Sequence, residues 1–130
     1  REDVRRALLR VDNNLLKLDS AFDETVRLIN NPAGNYTVAR TVELMKLFEG
    51  HLIVQTMFLR GMCNGRRVDN TTEREVAAWL DLVREIAPRQ VMVYSLDRDT
   101  PCPTLEKVPK EELQAIARRV GQAGIPCTAA

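Results

Sequence analysis

Residues 51–59 read His-Leu-Ile-Val-Gln-Thr-Met-Phe-Leu, a nearly continuous run of β-favouring residues with one amide, Gln55, at its centre. A strand with one wet face alternates apolar and polar residues, so a run this evenly apolar predicts a parallel strand covered on both faces. Gly61 and Asn64-Gly65 are expected to close it. Upstream, Val38, Val42 and Met45, with Leu44 and Phe48, form one broad helical stripe between Thr37 and Glu49, and Gly50 stands where a left-handed cap would end that helix. Downstream, Thr72-x-x-Glu75 has the spacing of a capping box, Val76, Leu80, Val83 and Ala87 follow at core spacing, and Pro88 stops the helix. Gln90 to Leu96 begins another strand at once.

The same alternation continues towards both ends. Leu15-Leu16-Lys17-Leu18-Asp19 is a short apolar strand whose charged members, Lys17 and Asp19, share one face. Ser20-Ala21-Phe22-Asp23 offers a second capping box, and Glu24 to Asn30 makes a short helix ended by Asn31-Pro32. Before them, Arg1 to Arg10 carries Val4, Ala7, Leu8 and Val11 at helix spacing, broken by Asn13 and Asn14. On the far side, a loop from Asp97 to Lys107 leads to a helix that starts at Pro109, turns Leu113, Ile116, Ala117 and Val120 inward and ends at Gly124. Ile125 to Thr128 is a closing strand. The order is α/β: three consecutive strand-helix units and a last strand, with right-handed crossovers expected between parallel neighbours. Periodicity alone does not separate an open sheet from an arc of a barrel.

Composition narrows the function classes. At 130 residues, 45% of them hydrophobic, and a net charge of +1, the chain has the make-up of a single globular domain. Its 19 basic and 18 acidic residues give no electrostatic footprint for nucleic acid or a membrane surface. No apolar run approaches the roughly 18 residues of a spanning helix, and the charged N-terminus lacks the apolar core of a signal peptide, so the cytoplasm is the expected compartment. Cys63, Cys102 and Cys127 are odd in number and far apart, without Cys-x-x-Cys spacing, which predicts reduced thiols and no zinc site. The chain lacks an initiator Met and opens inside a helical pattern, which reads as a fragment.

The stretch Leu15 to Asn30, Leu-Leu-Lys-Leu-Asp-Ser-Ala-Phe-Asp-Glu-Thr-Val-Arg-Leu-Ile-Asn, resembles the fourth strand and following helix of radical S-adenosylmethionine (radical SAM) enzymes, particularly short activase-like Fe-S oxidoreductases. Leu52 to Gly61 is similar to their fifth strand, Val91 to Pro101 to their sixth, and Leu105 through Pro126 to that group's C-terminus. The resemblance covers nearly the whole chain and implies the C-terminal portion of a partial parallel, TIM-like (β/α) barrel. In such enzymes a 4Fe-4S cluster on a Cys-x-x-x-Cys-x-x-Cys loop reduces S-adenosylmethionine to a 5′-deoxyadenosyl radical. Neither that loop nor the glycine-rich motif of the second strand is present, and three scattered cysteines do not replace a loop that presents three thiolates in one turn. The resemblance therefore implies a partner, the missing N-terminal half of the barrel, and no turnover by this chain alone. It also implies that Lys17, Asp19, Ser20 and Gln55 bind the cofactor, and that Met57, Ser95 and Asp97 line the substrate cavity. Lys17 precedes Asp19, whereas activases usually show the acidic residue first.

Other readings of the same residues stand beside this one. Lys17 and Asp19 also fit a structural ion pair that fixes strand register, and Gln55 an amide that satisfies a neighbouring backbone group. His51 falls at the N-terminal end of its strand, the end associated with stability rather than chemistry. A self-contained α/β interaction module would need none of these groups for catalysis. An aldolase-like barrel enzyme would use Lys17 as an amine nucleophile activated by desolvation.

Overall fold

The structure, a computed structural model, describes residues 14–30, 37–63, 65–96 and 105–130. The expected helix over Arg1 to Arg10 lies outside them. Four parallel strands, β1 (Leu15–Lys17), β2 (Ile53–Cys63), β4 (Gln90–Ser95) and β6 (Cys127–Ala129), pair in the order β1-β2-β4-β6. Helices α1 (Asp23–Asn30) and α2 (Val38–Lys46) join β1 to β2. Helix α3 (Glu73–Ile86) lies between β2 and β4, and α4 (Lys110–Gln122) between β4 and β6. These are the three strand-helix units and closing strand that the sequence predicts. Among the described residues no helix is long and apolar enough to cross a membrane.

Strand alternation sorts the sheet into two unlike faces. Val54, Thr56 and Phe58 of β2 and Val91 and Val93 of β4 are at most 1% exposed. They meet Val42, Met45, Val76, Trp79, Val83, Leu113, Ile116 and Val120 from α2, α3 and α4 in one core. Burying each such apolar side chain contributes about 1.5–3 kcal/mol. The rings of Phe58 and Trp79 sit edge to face, with centroids 5.2 Å apart. Gln55, Met57, Met92 and Tyr94 point the other way and are half-buried. The expectation of a strand covered on both faces is thus met along the helix side, while on the other face Ile53 and Leu59 are buried and only the middle, Gln55 and Met57, is half-buried.

Two other expectations are corrected. β2 does not stop at Gly61: that residue, at φ 136°, keeps the chain extended to Cys63, and a turn containing Gly65 (φ 76°) returns it as β3 (Arg66–Asp69), antiparallel to β2. Part of the expected loop after Asp97 is a further strand, β5 (Leu105–Lys107), antiparallel to β2 on its other side. The end of β2 is thereby the centre of a three-stranded ribbon, tied to α4 by a bidentate pair in which Arg60 donates to both carboxylate oxygens of Glu112, at 2.8 and 2.9 Å. A second, small cluster of Leu59, Val68 and Leu96, packed by Leu28, Ile29, Met57 and Leu105, seats α1 against it.

Helix ends follow local chemistry. Thr37 and Thr72 cap α2 and α3 by accepting from the backbone N–H groups of Arg40 and Glu75, each at 3.2 Å. The Thr72 box is only half made, because the Glu75 side chain turns away to other partners. Ser20 accepts from the Phe22 N–H instead of forming a box with Asp23, whose carboxylate accepts from the Val38 N–H at 2.6 Å and ties the start of α1 to that of α2. Gly50 holds φ 88°, and a Cβ there would stand 3.2 Å from the Ala87 carbonyl oxygen. Gly50→Ala is expected to lower stability by about 1–2 kcal/mol, since strain and crowding act together. Gly121→Ala, in α4 with open space around it, is expected to raise it by about 0.4–1 kcal/mol. Urea denaturation midpoints of the two variants check both signs.

Candidate functional site

The helix-free face of the parallel strands carries a short row of polar groups. Register places Lys17 of β1 beside Gln55 of β2, Gln55 beside Met92 of β4, and Met57 beside Tyr94. The Lys17 ammonium lies 3.4 Å from the Asp19 carboxylate; the lysine side chain is 44% exposed and the aspartate side chain wholly buried. Asp19 also accepts from the Met57 N–H at 2.9 Å. Burial by itself would lower the pKa of Lys17, but the Asp19 charge and the Tyr94 hydroxyl outweigh it and raise the value above its ordinary 10.5. Lys17 is therefore an ammonium at neutral pH. An amine nucleophile is favoured by the opposite shift.

Behind this row the chain leaving β1 is gripped by buried polar groups. Leu18, Asp19 and Ser20 are each at most 2% exposed. The Leu18 carbonyl accepts from the Thr56 hydroxyl at 2.7 Å and from the Trp79 indole at 3.1 Å. Asn70 donates to the carbonyls of Asp19 and Met57, at 2.9 and 2.8 Å, and accepts from the Leu59 N–H at 2.9 Å. Glu75, 5% exposed, accepts from Ser20 at 2.6 Å and from Thr25 at 2.7 Å. Among the described residues no buried side-chain polar atom lacks a partner.

These positions sort the residues singled out in the sequence. Lys17, Gln55 and Met57 share the helix-free face, with Asp19 buried beneath Lys17. Ser20 does not join them, because its hydroxyl is committed to Glu75 and the Phe22 N–H. Ser95 pairs with Phe58 in register and so belongs to the helix side; its hydroxyl donates to the Phe58 carbonyl at 2.7 Å and accepts from the Val108 N–H at 2.8 Å. Its expected place in the cavity is corrected by strand parity, which gives that face to Tyr94. Asp97 lies outside the described residues. His51 is exposed at the N-terminal end of β2. Cys127 is half-buried, and burial pushes its thiol up to about 11.

Sequence reasoning missed Tyr94, Asn70 and Glu75. The alternation Val91-Met92-Val93-Tyr94 carried the signal for the first; for the others nothing local marks a long-range partner. A concavity between α1, α2 and α3, lined by Val38, Val42, Leu82, Glu43 and Glu85, lies on the helix side and shares no residue with the polar row. Among the described residues no group of three His, Cys, Asp or Glu side chains is placed to hold a metal.

Asn70→Ala strands two carbonyls and an N–H in the interior, and is expected to cost about 2–4 kcal/mol in urea denaturation. The contribution of Lys17 is complete below 10.5 and is lost as pH rises through its elevated folded value. In a ¹³C NMR titration the Lys17 side chain should titrate above 10.5, and in Asp19→Asn at a distinctly lower pH.

No family model and no curated protein matches this sequence. Among solved structures the chain is similar to a domain of a pyruvate-formate lyase-activating enzyme from Bacteroides vulgatus ATCC 8482, with a TM-score of 0.71 and 10% identity over 100% of this chain and 74% of that one. It is also similar to a radical SAM methyltransferase from Sphaerobacter thermophilus, with a TM-score of 0.73 and 14% identity over 98% of this chain and 37% of that one. At such identities the likeness is one of fold, and it decides what periodicity leaves open: the four parallel strands and their helices have the partial (β/α) barrel arrangement of these two structures.

Proposed function

We propose that residues 1–130 are one unit, the last strand-helix units of a radical SAM oxidoreductase whose N-terminal half is the partner that supplies the cluster cysteines. The observation that carries this reading is the row of Lys17, Gln55 and Tyr94 across β1, β2 and β4, on the face a barrel turns inward. The ammonium of Lys17 suits the carboxylate of S-adenosylmethionine, and the Gln55 amide suits a second polar group of the cofactor or substrate. Asp19, wholly buried, acts as a positioning residue for Lys17, and Met57 gives an apolar wall. Held by Lys17 and Gln55 and completed by the other half, the cofactor would supply radical hydrogen-abstraction chemistry, and the residues here would orient and shield that site.

The 4Fe-4S cluster does not fit this chain's own residues. The three cysteines lie dozens of residues apart, which excludes the shared loop that presents three thiolates to one cluster. No step is assigned to the cluster on this chain.

The coding sequence upstream of the Arg1 codon is expected to contain Cys-x-x-x-Cys-x-x-Cys in frame; a start codon in its place would overturn the proposal. In the protein that contains both halves, Lys17→Met is expected to weaken S-adenosylmethionine binding by about 1–3 kcal/mol, read by calorimetry. Lys46→Met, on the helix side, serves as the control. Equal affinity in both variants would retire the assignment. A self-contained interaction module is favoured by one observation, the complete internal pairing of Asp19, Ser20 and Glu75, which leaves that end of β1 with no need of a ligand. It predicts a clean monomer in sedimentation and no affinity for S-adenosylmethionine in any longer form of the chain.

A further inference from the structure

The helix-free face changes character along its strands. Register sets Lys17, Gln55, Met92 and the exposed Thr128 side by side, and Met57 beside Tyr94 nearer the C-terminal ends of β2 and β4. Among the strand residues of this face Lys17 is the one charged position, since the Asp19 carboxylate beneath it is wholly buried. Met57 and Met92 are half-buried, and their thioethers give an adaptable apolar surface around Gln55.

Tyr94 supplies what an anion needs besides charge. Its hydroxyl lies beside the Lys17 ammonium, close enough to raise that group's pKa. An ammonium has donors and no acceptor, so the tyrosine oxygen meets it as acceptor and the phenolic proton is turned away from it. The hydroxyl is thus left as a donor next to a cation. A charged donor and a neutral donor side by side match the two oxygens of a carboxylate, and hydrogen bonds to an ionised acceptor are the strong ones. A cationic ligand instead meets repulsion from Lys17, with no accessible carboxylate on these strands to offset it.

We propose that Lys17 and Tyr94 form a two-donor clamp for a carboxylate whose apolar remainder lies over Met57 and Met92, with Tyr94 the residue that sets this preference. The inference rests on the reading of this face as the ligand-binding interior and deepens it to a ligand class, an acid with an apolar body. Such a carboxylate belongs to the cofactor or to an acid substrate.

The chain holds four methionines, so methyl labelling reads the face directly, with buried Met45 and exposed Met62 as internal controls. Titrating the 130-residue chain with 4-phenylbutyrate is expected to shift the Met57 and Met92 methyls saturably and to leave Met45 and Met62 in place. The amine of the same shape, 4-phenylbutylamine, is expected to shift none of them. Tyr94→Phe, which keeps the ring, is expected to weaken 4-phenylbutyrate by about three- to tenfold. In the protein that contains both halves, 4-phenylbutyrate bound alongside saturating S-adenosylmethionine assigns the clamp to the substrate, and competition between them assigns it to the cofactor. A working clamp with no effect of Lys17→Met on S-adenosylmethionine there retires the cofactor assignment alone. Equal shifts by acid and amine, or unchanged affinity in Tyr94→Phe, would overturn the clamp, even where Lys17→Met weakens S-adenosylmethionine and the cofactor reading stands.

Discussion

The carbonyl oxygen of Leu18 is held by two donors at once, the hydroxyl of Thr56 and the indole of Trp79, which also donates to that hydroxyl at 3.0 Å. It sits where β1 has ended but the chain is still buried: the Leu18 N–H still donates to the Gln55 carbonyl at 3.0 Å, while the carbonyl takes its partners from side chains. Thr56 is fully buried on the helix side of β2, and Trp79 is the largest fully buried side chain among the described residues. In a low-dielectric interior such a three-way contact is stronger than its members would be in water, and costly to leave half made. The edge-to-face packing of Trp79 on Phe58 fixes the indole that makes it. One point thus joins β1, β2 and α3.

Everything that positions Lys17 follows from that point. With Leu18 fixed, Asp19 is driven below the surface, where an ionised carboxylate persists only if paired and hydrogen-bonded. It receives both: the Met57 N–H and the Lys17 ammonium. Asn70 closes the arrangement by bridging the carbonyls of Asp19 and Met57, holding β1 and β2 in register beyond their last ladder bond. The lysine is left with its stem against the sheet and its head towards the helix-free face, where Tyr94 meets it.

How much of this was legible in the sequence depends on the range of each interaction. The four parallel strands, their helices and the shared face of Lys17 and Asp19 were readable because period and spacing are local. The β2 extension was misjudged at Gly61, since glycine marks a turn in sequence but here only relaxes an extended backbone that β3 and β5 pair from both sides. Ser95 was assigned to the wrong face by a slip of one residue; in a strand that inverts every side chain, and the apolar neighbours Val91 and Val93 do not say which face the helices take. Asn70 and Glu75 were invisible because their partners lie dozens of residues away, at Asp19 and Ser20. Glu75 looked like half of a capping box for a sound local reason that a stronger distant pair overrode.

The two faces of the sheet have different dependencies. The helix side closes its own core, and among the described residues its buried polar groups are satisfied within the chain. The helix-free side has half-exposed groups, a lysine charge and short edges at β1 and β6, and contributes little to that core. A substitution at Gln55 or Tyr94 therefore tests recognition with little loss of stability, whereas one at Thr56, Asn70 or Trp79 tests the fold. Asp19 belongs to both classes, since it fills a buried site and also sets the charge and place of Lys17. Binding lost in an Asp19 variant says nothing of direct contact until the same loss is seen in a Lys17 variant whose fold is intact.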